Sequence, residues 1–170
     1  MNKRRRTFGI LIAVLISTAL LTSCSANSSS PTVHRSTYPY WKKGAGATEA
    51  AAFMKVKIPE GATEVRGAVQ VNPREDNYIL SFRTDKTTAT RAAQDLRSPN
   101  PPEPWKVNPL PQSEHFRHLG LTEPETLKGA LHAGVCPPCA EDNRRRNVAW
   151  IEIYVENLES DRARVYLRAF

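Results

Sequence analysis

Cysteine and histidine are both scarce in this chain. There are three cysteines and four histidines among 170 residues. Four histidines are no enrichment, and they form no tight pair of the kind that structural zinc sites use. The chain also lacks G-x-S-x-G, H-E-x-x-H and any glycine-rich phosphate loop, so the common hydrolase, zinc-protease and nucleotide-binding signatures are missing. Its longest apolar run, Ile10 to Leu21, is too short for a membrane-spanning helix, which needs about 20 apolar residues. Nothing in these patterns points to a catalyst or to a bound cofactor.

What is present begins with a basic block, Lys3, Arg4, Arg5 and Arg6, followed by that apolar run and small residues. This is the make-up of a secretory signal peptide over residues 1–23. Its end, Leu21-Thr22-Ser23-Cys24, resembles the bacterial lipobox, a branched apolar residue and two small residues before a cysteine. The resemblance implies cleavage before Cys24 and a diacylglyceryl group on its thiol. Each buried lipid CH₂ contributes about 0.8 kcal/mol, and two chains hold a protein on a membrane where one does not. Arg5-Arg6-Thr7-Phe8 partly fits a twin-arginine signal, whereas the Ile/Leu run favours the general secretory route.

The leader also distorts the charge balance. The chain has 24 Lys and Arg against 17 Asp and Glu, and four of the basic residues fall in residues 1–23 with no acidic ones. The remainder therefore carries 20 against 17, or +3. That is a weak case for nucleic acid. A membrane surface or a wall polymer is the better expectation.

Residues 24–46 read as a lipidated tether, Ser-rich at Ser28 to Ser30 and broken by Pro31, Pro39, Gly44 and Gly46. A flexible chain of this length spans on the order of 25 Å. Tyr38, Tyr40 and Trp41, with Lys42 and Lys43, either touch the membrane interface or pack on the domain.

Residues 47–170 form a single expected domain of class α+β, an antiparallel sheet with helices packed on one face. The expected order is α-β-β-α, a proline-rich connector, then α-β-β. Thr48 caps a short alanine-rich helix to about Met54. Strands follow at 64–71 and 78–83, paired antiparallel. Asp85 caps a helix to about Leu96. Residues 98–112 hold six prolines and act as a stiff connector anchored by Trp105 and Leu110. Thr122 and Glu125 have capping-box spacing, so a third helix is expected from there to Gly134. The C-terminal hairpin is the clearest signal. Ala149, Ile151, Ile153 and Val155, then Ala163, Val165, Leu167 and Ala169, mark one aliphatic face.

The stretches Glu49 to Phe53, Ile58 to Val65 and Tyr78 to Phe82 resemble small lipoproteins of high-GC Gram-positive bacteria. That resemblance implies architecture and a place on the outer face of the cell membrane, and little about activity.

Two groups of residues are candidates for function. Cys136 and Cys139 form a C-P-P-C sequence outside the cytosol, expected as a disulfide closing a tight proline loop. A thiol–disulfide exchange pair or a metal set with His132 are the alternatives. Behind the expected helix the pair would meet a C-terminal dipole, which disfavours a thiolate. On the polar face of the terminal hairpin, Trp150, Tyr154, Arg164, Tyr166, Arg168 and Phe170 form a candidate binding surface for an envelope protein or a wall glycan. Otherwise the proline-rich connector covers those aromatics.

Overall fold

The computed structural model describes residues 37–170. The leader, the lipobox with Cys24 and the tether as far as residue 36 lie outside the described residues.

Seven strands form one antiparallel sheet in the order β1-β2-β3-β7-β6-β5-β4. The strands are β1 (Tyr40–Trp41), β2 (Thr63–Val71), β3 (Asn77–Asp85), β4 (Glu103–Pro104), β5 (Leu131–Val135), β6 (Ile151–Asn157) and β7 (Arg162–Ala169). The helices are α1 (Ala47–Met54) and α2 (Lys86–Asp95). Two meanders, β1-β2-β3 and β4-β5-β6-β7, meet where β3 pairs with β7, from Tyr78 opposite Ala169 to Asp85 opposite Arg162.

The period-2 patterns set the two faces. Leu80 and Phe82 on β3, Ile151, Ile153 and Val155 on β6, and Val165 and Leu167 on β7 point to one side. There they bury against Ala50, Ala51 and Met54 of α1 and Ala89, Ala93 and Leu96 of α2. Both helices thus cover one face, as the sequence leads one to expect. Asp85 caps α2 by accepting a hydrogen bond from the Thr88 amide at 2.8 Å. The first helix differs in detail. Its cap is Gly46 with no side-chain hydrogen bond, and Thr48 lies inside the first turn. Its start lies on β2 so closely that a Cβ on Gly67 would come within 2.5 Å of the Ala47 Cα.

The third expected helix is absent. Pro124–Thr126 forms one 3-10 turn, and Leu131–Val135 is strand β5, paired with β6 from Leu131 opposite Val155 to Val135 opposite Ile151. Two features override the helical spacing of Leu127, Ala130 and Leu131. Gly129 takes a left-handed conformation at φ +79°, which breaks the run. Beyond it, Leu131, Ala133 and Val135 alternate onto the aliphatic face and extend the sheet past β6. The helix of the second α-β-β in the expected order is therefore replaced by a turn and a strand.

The tether also ends sooner than its composition suggests. Tyr40 and Trp41 pair with Val71 and Gln70 of β2, and Trp41 packs on the domain while Tyr38 and Tyr40 stay exposed. Among the described residues no helix is long and apolar enough to cross a membrane.

One buried guanidinium ties the helices to the loop after β5. Arg145 is fully buried. Its Nε donates to the Met54 carbonyl at 2.9 Å and its Nη2 to the Lys55 carbonyl at 3.1 Å, both at the end of α1. Its Nη1 donates to the Asp95 carbonyl at 2.9 Å, at the end of α2, and to Asp142 at 2.6 Å. Nη2 also donates to the Asp95 carboxylate. All five donors are thereby used.

Replacing Arg145 with Met should cost about 3–5 kcal/mol, the usual cost of stranding a buried partner, read from urea unfolding. Hydrogen bonds from Arg144, then Arg145, hold the Asp142 carboxyl down at about 2. Its folded pKa is below its unfolded one, so its contribution is complete above about 4 and is lost as pH falls toward 2. The stability gap between the wild type and Asp142→Asn should be constant above that range and narrow as pH falls through about 2.

Candidate functional site

The second face of the sheet carries the alternate residues of the same strands, which are polar and aromatic. From β6 and β7 come Glu152, Tyr154, Glu156, Arg164, Tyr166 and Arg168. From β5 comes His132, and from β2 come Arg66, Ala68 and Gln70. Left in water, this face would be the binding surface expected from the hairpin. It is instead covered by residues 105–127, which cross it as a strap.

The strap holds its shape through two buried carboxylates. Glu125 accepts hydrogen bonds from the amides of Gln112 and Ser113 at 3.2 and 3.3 Å, and from the Ser113 hydroxyl at 3.4 Å. The capping-box partner expected for it, Thr122, plays no part in these bonds. Glu123 accepts from the Arg117 amide at 2.8 Å. Burial pushes the Glu123 carboxyl above its ordinary value, and its Oε2 is buried without a partner. The strap's ends are fixed by the backbone. The Trp105 amide donates to the Ala130 carbonyl at 2.8 Å, and the Trp105 indole donates to the Glu125 carbonyl at 2.8 Å.

Aromatic rings fasten the strap to the sheet. Trp105 meets Tyr154 edge to face, with centroids 5.6 Å apart. Phe116 meets Tyr166 in the same way at 5.2 Å. His118 stacks flat on Trp41 at 3.8 Å. Tyr166 is 2 % exposed and Tyr154 7 %, and burial raises both phenol pKa values. Of the two expected anchors, Trp105 is one. Leu110 is not, being 76 % exposed.

The predicted surface residues are therefore dispersed in role. Tyr154 and Tyr166 lie beneath the strap. The Tyr166 hydroxyl donates to Glu156 at 2.8 Å. Arg164 donates to Glu64 at 2.5 Å, and Glu64 also bonds Arg83, which faces Arg164 across β3 and β7. Arg83 and Arg164 together hold the Glu64 carboxyl at about 2. Arg168 bonds Glu152 at 2.6 Å. Trp150 lies over Gly134, where a Cβ would come within 2.5 Å of the indole. Phe170 closes the sheet end, exchanging backbone hydrogen bonds with Trp150.

His115, His132, Gln70, Glu125 and Glu152 complete this layer and were not singled out as a group by the sequence. Only the β5 alternation, which puts His132 beside Tyr154, could have located one of them. His115 Nε2 lies 3.1 Å from Gln70 Oε1 and its Nδ1 3.5 Å from Arg168 Nη1. His132 sits between Trp105 at 4.6 Å and Tyr154 at 4.5 Å.

Cys136 and Cys139 are joined as a disulfide, with Cα atoms 5.2 Å apart. The pair follows strand β5 rather than a helix, so the helix-dipole argument from the sequence does not apply. Its neighbours Arg144 and Arg145 are committed to Asp95 and Asp142, which leaves neither to favour a thiolate. Among the described residues, no group of three or more His, Cys, Asp or Glu could hold a metal ion. The bridge closes the tight turn Cys136 to Cys139, three residues before Asp142.

On the helix side, a cavity of about 520 Å³ opens between α2 and the β5–β6 edge, floored by Leu131 and Val155 and walled by Ala93, Pro99, Pro101 and Pro102. Its lining suits an apolar group.

Comparison with family models, with curated proteins and with solved structures gives no match.

Replacing Cys136 and Cys139 by Ser should lower stability by about 2 kcal/mol, the chain-entropy value for so short a loop. Trp105→Ala should cost about 3–5 kcal/mol and raise hydrogen exchange in residues 105–127 more than in α1 or α2.

Proposed function

We propose that this chain is a lipid-anchored lipoprotein on the extracytoplasmic face of the cell membrane, serving as a non-catalytic binding or envelope-associated module. The observation that carries the reading is the Cys136–Cys139 disulfide. Such bridges persist in oxidising compartments and are rare in the cytosol. It agrees with the leader over residues 1–23, the lipobox resemblance at Leu21 to Cys24 and the Ser-rich tether that follows. The lipid on Cys24 supplies the membrane contact, and the partner class is an envelope protein or a wall glycan.

Binding rather than catalysis is favoured by how the polar groups are used. The charged residues of the covered face are spent on one another and on the strap, as at Glu152 with Arg168 and Tyr166 with Glu156. The open cavity beside α2 is lined mainly by apolar side chains, which suits recognition of an aliphatic or aromatic group.

The test is metabolic labelling with a palmitate analogue in a bacterial host that processes lipoproteins. The wild-type chain should take up label, lose its first 23 residues and sediment with membranes. Cys24→Ala should take up none. An unlabelled wild-type chain retaining its leader would overturn the reading.

A further inference from the structure

We propose that residues 105–127 are an acid-released cover: protonation of His115 and His132 frees this strap and uncovers the aromatic and arginine side chains of the sheet beneath. The geometry disfavours a second proton on either ring while the strap is closed. Gln70 Oε1 is an acceptor, so His115 Nε2 carries the proton in that 3.1 Å contact. Arg168 Nη1 can only donate, so His115 Nδ1 must accept from it. A second proton on the ring would set an N–H against an N–H and a cation against a guanidinium. His132 Nε2 is buried with no partner at all, and its ring is held against Trp105 and Tyr154. A charge there would be desolvated and unanswered.

The charged groups facing these rings are paired, of the wrong sign or in water. Glu103 of β4 stands opposite His132 in the ladder and is exposed to solvent, which screens its charge. Arg168 from β7 repels both. Glu152 from β6 attracts them but is paired with Arg168 at 2.6 Å. Glu125 from the strap attracts His115 while accepting three hydrogen bonds within the strap. Trp41 of β1 offers His115 only a ring edge, and Gln70 of β2 only an acceptor. Burial, with Arg168 behind it, outweighs the carboxylates, so His115 titrates below its ordinary 6.5. Burial does the same for His132.

The sign of the effect follows. In an open strap both imidazoles return to about 6.5, and in the closed strap they hold protons less well. Closure is therefore fully favoured above that pH and weakens as pH falls below it, by at most tenfold per pH unit for each histidine. Glu123 works the other way. Burial raises its pKa from 4.5, so it gains its proton sooner in the closed state and steadies the strap at lower pH. Release therefore begins as pH falls below the histidine range, and Glu123 opposes it at lower pH. The Arg145 cluster contains no histidine, and Asp142 within it stays charged down to about 2, so the helix side keeps its structure across that interval.

The experiment is hydrogen exchange by mass spectrometry on the full chain in detergent from pH 7.5 to 5.0, with rates corrected for the intrinsic pH dependence at each amide. Protection in residues 105–127 should fall at least tenfold on acidification while α1 and α2 keep theirs. His115→Gln combined with His132→Phe should flatten the profile. Three results would overturn the proposal. One is strap protection that does not change with pH. Another is strap protection that falls only in step with the helices, which is global acid unfolding. The third is a wild-type profile unchanged in the double variant, which would assign the effect to a carboxylate. If the double variant fails to fold, the wild-type profile together with His115→Gln alone decides. In that case an unchanged profile counts against the proposal.

Discussion

The packing of both helices depends on the five hydrogen-bond donors of Arg145. An α-helix ends with carbonyls that have no intrahelical partner, and its dipole is negative there. Here two such ends, at Met54–Lys55 and at Asp95, converge on one buried guanidinium. Two converging negative ends repel unless a cation lies between them. A guanidinium suits that place better than an ammonium, because its planar fork reaches both helices and two carboxylates at once. Asp142 balances its charge and is itself buried, while Asp95 keeps half its side chain in water. Without that cation, α1 and α2 could not both end where they do, and the aliphatic face of β3, β7 and β6 would lose its cover.

This constraint gives the loop after β5 a purpose. Arg145 must approach from below the two helices, and the chain between β5 and β6 has to bring it there. Pro137 and Pro138 limit the backbone at the start of the loop, the Cys136–Cys139 bridge tightens that first turn, and a set of turn hydrogen bonds from Ala140 to Asp142 carries the chain onward. The C-P-P-C sequence, which invites a redox reading when taken alone, begins the loop that carries Arg145. Its chemistry is best understood as geometry delivered to the helix ends.

Much of this was legible in the sequence, and the rest was not for physical reasons. The aliphatic alternation in β6 and β7 fixed a face because a one-residue slip would turn every side chain outward. The Asp85 cap could be read because its signal is local. Strand β5 was missed because Leu127, Ala130 and Leu131 satisfy a helical period as well as their successors satisfy a strand period. The choice between them is made by the open edge of β6, which no local window contains. The Arg145 cluster was invisible for the same reason. Three adjacent arginines look like a solvated run, and only the fold brings residues 54, 95 and 142 to the middle one. The mixed aromatic and charged face at Tyr154 and Tyr166 follows from the strand alternation, and the proline-rich connector was named as its alternative cover; the segment that lies on it, residues 105–127, overlaps that connector and runs beyond it.

That cover is what gives the second face its character. A sheet face built of Glu, Arg, Tyr and His ordinarily belongs in water, and burying it requires each charge to find a partner. The pairs Glu152–Arg168, Glu156–Tyr166 and Glu64 with Arg83 and Arg164 meet most of that need, yet several atoms remain unanswered, among them His132 Nε2, Arg168 Nε and Glu123 Oε2. The helix side has its polar groups resolved around Arg145 and is apolar elsewhere. The two faces of one sheet are thus held by different physics: close packing and a satisfied buried ion cluster on one, aromatic contacts and incompletely satisfied polar groups on the other. Because unsatisfied polar groups regain hydrogen bonds when water enters, the strap gains from opening what the helices would lose. Local opening should therefore start on the strap side, and any surface this domain exposes on demand should be the one beneath residues 105–127.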